Sequence, residues 1–116
     1  MLNNEVKMKN LNFLGVTSLN WHDVIREEVA PGIYQRPLWE GDKGKRASIL
    51  EFEPGAKYPG IDIHLSGPEQ IFVVSGVFND GKKDHKEGSF INNPVGSSHI
   101  PQSKLGCIIL IIYPEG

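Results

Sequence analysis

The chain has 116 residues, 39% hydrophobic and 22% charged, with a formal net charge of −2. This is the size of one domain, large enough to bury a core without staples. The charge balance argues against nucleic acid, whose binding needs clustered Lys and Arg; the short basic run Lys43 to Arg46 reads as a solvated turn.

Met1 to Asn10 is polar and lacks the apolar stretch of a signal peptide. The first dozen residues read as a loose arm or an edge strand, and residues 1–20 as an N-terminal arm before the main domain, residues 21–116. Ser18 to Val29 is the one candidate helix: Ser18 or Asn20 can cap it, and Trp21, Val24, Ile25 and Val29 fall at roughly helical spacing. Beyond it, thirteen glycines and eight prolines in the chain isolate short runs rich in β-branched and aromatic residues, an all-β pattern. Gly32 to Trp39 reads as a strand, placed at an edge by Pro37. Ala47 to Glu53 alternates, with Leu50 and Phe52 on one side and Glu51 and Glu53 on the other; Pro54-Gly55 ends it. Gln70 to Val77 is the next strand, and Asn79-Asp80-Gly81 a hairpin turn. Ser89 to Asn92 and Cys107 to Tyr113 complete the set. Short, evenly spaced strands predict a sandwich or a small jelly-roll barrel.

The last strand is apolar on both faces, from Cys107 through Ile112. Antiparallel sheets usually wet one face, so cover is expected from the N-terminal segment or from a second subunit, which predicts a homodimer. The run is too short to cross a bilayer, and no membrane partner is expected. A single cysteine, Cys107, cannot form an intrachain disulfide; a reducing, cytoplasmic setting is expected. With no cationic neighbour except Lys104, it reads as a buried small hydrophobe rather than a reactive thiol.

The chemistry gathers in two motifs. Asp62-x-His64-x4-Glu69-x6-Gly76 is followed by Gly88-x5-Pro94-x-Gly96-x2-His99. Side chains two apart on a strand point the same way, so Asp62 and His64 converge. Leu65 to Pro68 can turn the chain and return Glu69 beside His64. Pro94-Val95-Gly96 can turn it again so that His99 faces inward. Any one of these residues alone has an ordinary explanation, as a surface carboxylate or a hydrogen-bonded histidine. Four at linked spacings point to a divalent transition metal, which suits mixed imidazole and carboxylate donors. His85, among Lys82, Lys83, Asp84 and Lys86, reads as exposed and is not counted; His22 has no partner at useful spacing.

These motifs resemble those of the cupins, small β-barrel proteins. The second matches at Gly88, Pro94, Gly96 and His99, with Ser103 where the cupin pattern has Asn; the first matches at His64, Glu69 and Gly76. Pro31-Gly32-Ile33, Phe52 to Gly55, Val74 to Asp80, Asn93 to His99, Pro101-Gln102-Ser103 and Gly106-Cys107 are similar to the ChrR type, the cupin half of a zinc-dependent anti-sigma factor. Some small dioxygenases of diketone-like substrates are similar too. The resemblance implies a double-stranded β-helix jelly roll, with His64, Glu69 and His99 as metal ligands. Asp62 is a departure, since the family usually has His there. If Asp62 ligates, the set is oxygen-rich and leans toward Fe or Mn relative to Zn; if it faces away, a two-His, one-carboxylate set with open positions remains. A third reading is that this copy binds no metal tightly.

Two functions follow. One is a dioxygenase-like enzyme acting on a small chelating molecule, with Asp62 as ligand or nearby base and Phe52, Phe72, Val74 and Ile109 as apolar pocket neighbours. The other is a non-catalytic module that senses a metal, a small-molecule ligand or a partner. The chain lacks a Cys/His set for a second zinc domain, so a stand-alone cupin is expected rather than a complete anti-sigma factor.

Overall fold

The computed structural model describes residues 10–116. It contains nine strands: β1 (Glu27–Ala30), β2 (Ile33–Glu40), β3 (Arg46–Phe52), β4 (Asp62–Ile63), β5 (Glu69–Asn79), β6 (Asp84–Lys86), β7 (Phe90–Asn93), β8 (Ser98–His99) and β9 (Cys107–Tyr113). Seven form one antiparallel sheet in the order β1-β2-β3-β9-β5-β6, with β7 also pairing β5. β4 and β8 form a separate two-stranded ribbon. The all-β jelly-roll expectation is met.

β9 sits at the centre of the large sheet, between β3 and β5. Its alternate residues Cys107, Ile109 and Ile111 are buried. They meet Phe52 from β3 and Ile71, Val73 and Phe78 from β5 in one core, with Ile33 from β2. Val73 and Phe78 are fully buried, and each large apolar side chain so placed contributes roughly 1.5–3 kcal/mol. Between them β5 shifts register at Val73/Ser75. There Gly76 takes φ +76°, and a Cβ on it would strike the Gly106 carbonyl and stand 2.8 Å from the Cys107 Cα. Only glycine fits that bend. It lets one strand pair β7 over Glu69–Phe72 and β6 over Val77–Asn79.

The predicted helix over Ser18 to Val29 does not form. A 3-10 turn covers Trp21–Asp23, and Glu27–Ala30 is strand β1. The cause is Arg36: its guanidinium takes the His22 and Val24 carbonyls at 3.1 and 2.8 Å. Those are acceptors a helix would need for its own N–H groups. Arg36 also pairs with Glu51 at 2.6 Å. β2 is not an edge strand as a whole, because β1 pairs it over Ile33–Gln35. Pro37 lies beyond that pairing, where β3 is the only strand neighbour among the described residues, and the register shifts between Pro37 and Trp39.

His85 is not exposed as expected. It is half-buried, with its Nε2 2.8 Å from Asp80 in the β5–β6 turn. Burial pushes the Asp80 carboxyl up, but the His85 bond and the Lys83 and Lys82 backbone N–H donors outweigh it and hold the group below its usual range. Cys107 is buried, and burial pushes its thiol up to about 11. Any edge strand within residues 1–9 lies outside the described residues. Residues 10–20 form no strand, and Leu11, Phe13, Leu14, Val16 and Leu19 are exposed.

Candidate metal centre

The ribbon and the start of β5 bring the four predicted residues together. Asp62 on β4 lies directly opposite His99 on β8, and the His99 Nε2 is 3.1 Å from Asp62 Oδ2. His64 continues β4 with its side chain on the same side. Its backbone is clamped to the turn before β8: His64 N–H donates to Ser97 O at 3.0 Å, and Gly96 N–H donates to His64 O at 2.7 Å. Gly96 supplies the positive φ, 87°, that this turn requires. Glu69 opens β5 and is completely buried.

The donor atoms share one centre. His64 Nε2 is 3.5 Å from Asp62 Oδ2 and 3.1 Å from Glu69 Oε2. His99 Nε2 is 3.4 Å from Glu69 Oε1. One ligand atom from each residue lies within 4.8 Å of every other. Bonds of about 2.1 Å to a common ion place neighbouring ligand atoms about 3.0–3.4 Å apart, close to the 3.1 Å from His99 Nε2 to Asp62 Oδ2 and the 3.4 Å from His99 Nε2 to Glu69 Oε1.

The proton positions favour the same conclusion. Ser97 Oγ donates to Pro94 O at 2.6 Å, so its free lone pair faces His64 Nδ1 at 3.1 Å. His64 therefore carries a proton on Nδ1, and its neutral form turns the Nε2 lone pair inward, the form a metal ligand needs. Among the described residues, His64 Nε2 and Glu69 Oε1 are buried without a hydrogen-bond partner. Lone pairs and carboxylate oxygens facing one another at this burial are costly without a cation between them. The residues fit a divalent metal.

Two neighbours were not singled out from the sequence. Ser97 is one. The other is Tyr113, whose hydroxyl donates to Glu69 Oε2 at 3.0 Å. Burial and the adjacent Glu69 carboxylate push its phenol above the usual range, so it remains a donor. Its signal was its phase on β9, two residues beyond inward-facing Ile111.

A cavity of about 180 Å³ adjoins the cluster inside the barrel. Asp62, Glu69, His99 and Tyr113 close one end, and Phe52, Phe78 and Ile109 are among its apolar walls. Of the predicted pocket neighbours, Phe52 and Ile109 are there. Phe72 is not: it points to the outer face and is 40% exposed. Val74 falls in the register shift and does not line the cavity. A second, polar cleft of about 170 Å³ reaches the cluster from the other side, with Arg46 and Ser66 in its wall.

A β-barrel that gathers two histidines and two carboxylates beside an interior cavity is a cupin. The chain matches the ChrR cupin-like domain over residues 13–113, and it belongs to that family. Among solved structures it is similar to the Rhodobacter sphaeroides anti-sigma ChrR, crystallised with SigE, at 25% identity and TM-score 0.68. That match covers 81% of this chain and 50% of the other, so this chain spans half the length of that relative. The polyketide cyclase RemF of Streptomyces resistomycificus shares the fold at 19% identity and TM-score 0.73, over 87% of this chain and 80% of that one. KdgF from Halomonas sp. does so at 21% identity and TM-score 0.71, over 86% and 94%. No curated protein matches the sequence. Among the described residues, no helix is long and apolar enough to cross a membrane.

Proposed function

We propose that this chain is a metal-dependent cupin that binds a small chelating organic molecule in its interior cavity. The observation that carries the proposal is the convergence of Asp62, His64, Glu69 and His99 on one buried centre. Asp62 acts as a ligand in this reading, and the oxygen-rich set prefers Fe or Mn to Zn. A divalent metal held there supplies Lewis-acid polarisation and, for iron, redox chemistry toward dioxygen. The protein's part is to seat the ligand's apolar body against Phe52, Phe78 and Ile109 and to turn its oxygens toward the cluster. The reaction class is oxygenative cleavage of a small diketone-like compound. Metal analysis of untagged protein, followed by dioxygen uptake with a simple 1,3-diketone, tests it: metal-free protein that cannot be reconstituted sinks the metal site. A loaded protein that consumes no dioxygen sinks the enzyme.

The similarity to ChrR supports a second reading, a sensing module that binds metal or ligand without turnover. A tightly loaded protein that binds diketone yet leaves it intact favours this reading. In either role a homodimer covers the outer sheet face, where Phe72 and Phe90 are 40% and 62% exposed beside half-buried Leu110 and Ile112. A monomer mass by light scattering at micromolar concentration counts against that cover.

A further inference from the structure

We propose that Tyr113 fixes how Glu69 meets the metal: its hydroxyl occupies Oε2 and leaves Oε1 as the single coordinating oxygen. The proposal rests on the metal reading above. Glu69 is fully buried, so its oxygens are solvated mainly by protein groups. The two oxygens are not equivalent. Oε2 accepts the Tyr113 hydroxyl at 3.0 Å, whereas Oε1 has no hydrogen-bond partner among the described residues. A buried carboxylate oxygen with no donor is the atom with an unmet need. Oε1 is also the oxygen that faces His99 Nε2, at 3.4 Å.

Tyr113 is built to hold this position. It closes β9 opposite Arg46 on β3, and the Arg46 guanidinium carbon lies 3.8 Å from its ring centroid. The ring is fixed by strand register on one side and a cation on its face. Oε2 lies only 3.1 Å from His64 Nε2, so without the hydroxyl nothing reserves it, and both oxygens are free to chelate. The difference matters for ligand binding. A six-coordinate ion with four single-atom protein ligands keeps two positions open, enough for a chelating molecule. With both Glu69 oxygens bound it keeps one. Tyr113 is thus a positioning residue that preserves room for a two-oxygen ligand.

The test uses Tyr113→Phe, which keeps the ring and removes the hydroxyl, with wild type and variant both loaded with cobalt(II). The expected result is a changed visible d–d spectrum and a loss of about tenfold or more in affinity for acetohydroxamate, a chelating probe. Azide, which needs one position, binds as in wild type. Identical spectra, or equal losses for both probes, overturn the proposal. Should the variant not fold, a crystal structure of the metal-loaded wild type decides: Oε1 alone at bonding distance supports it, and Oε2 or both oxygens overturn it. A wild type that takes up no metal removes the metal reading and this inference together. A loaded wild type with an indifferent variant removes only the role of Tyr113.

Discussion

β5 and β9 run for 11 and 7 residues and pair along most of that length, whereas β4 and β8 have 2 residues each. The long strands give their inner faces to Ile71, Val73, Phe78, Ile109 and Ile111. The short ribbon contributes almost nothing to that core: Ile63 is 51% exposed, and the residues on its inner side are Asp62 and His99. Glu69 is the one member of the cluster that stands on the large sheet. Stability and chemistry therefore reside on different elements, joined where β5 begins. A two-stranded ribbon is marginal alone, so this one depends on the sheet for its place.

That division can be broken most sharply from both sides at once. Phe78→Ala, in the sheet, should cost about 3–5 kcal/mol in denaturant unfolding. His99→Ala, in the ribbon, should abolish metal uptake while costing the metal-free protein less than half as much. Equal destabilisation by the two would mean the ribbon is structural. Glu69→Gln tests the junction. It replaces a buried carboxyl group by a neutral amide of the same shape, so metal uptake should fall while metal-free stability rises by about 1 kcal/mol. A lower melting temperature for that variant would contradict the account of the cluster.

Asp62→His sharpens the comparison within the ribbon. It exchanges an oxygen donor for nitrogen and should shift competition toward Zn over Mn by about tenfold; an unchanged ratio means Asp62 does not ligate. The sheet has its own pH signature. The Cys107 thiol is raised to about 11 when folded, so above pH 9 the unfolded chain loses a proton that the folded chain keeps. Stability should fall from about pH 9 to 11, by at most about 1.4 kcal/mol per pH unit for this group. A Cys107→Ala variant should show a shallower decline in urea titrations. The smallest effect is expected at Ile63→Ser, on the ribbon's outward side, where a change within about 0.5 kcal/mol is predicted.

How much of this was legible in the sequence follows the same division. Alternation and turn residues give the long strands nearly residue for residue, because burial on one face enforces period two. That Asp62, His64, Glu69 and His99 converge was legible because spacing along a strand and a turn is local information. The helix expected over Ser18 to Val29 failed because its competitor, Arg36, is distant in the chain. His85 failed for a similar reason: its charged neighbours suggested solvent, but Asp80 curls back to cover it. Ser97 and Tyr113 act through other side chains, so their roles depended on three-dimensional pairing even though Tyr113's facing was readable.

The clamp between His64 and the Ser97 turn has a kinetic consequence. Two backbone hydrogen bonds, His64 N–H to Ser97 O and Gly96 N–H to His64 O, hold together the segments that carry both imidazoles. Opening them, with the β4–β8 pairing, should release His64 and His99 together while the large sheet stays folded. Local openings of this kind occur well below the free energy of global unfolding. The rate at which a bound ion exchanges with solution should therefore be paced by the ribbon's own breathing, and amide hydrogen exchange at Gly96 and His64 is its clock.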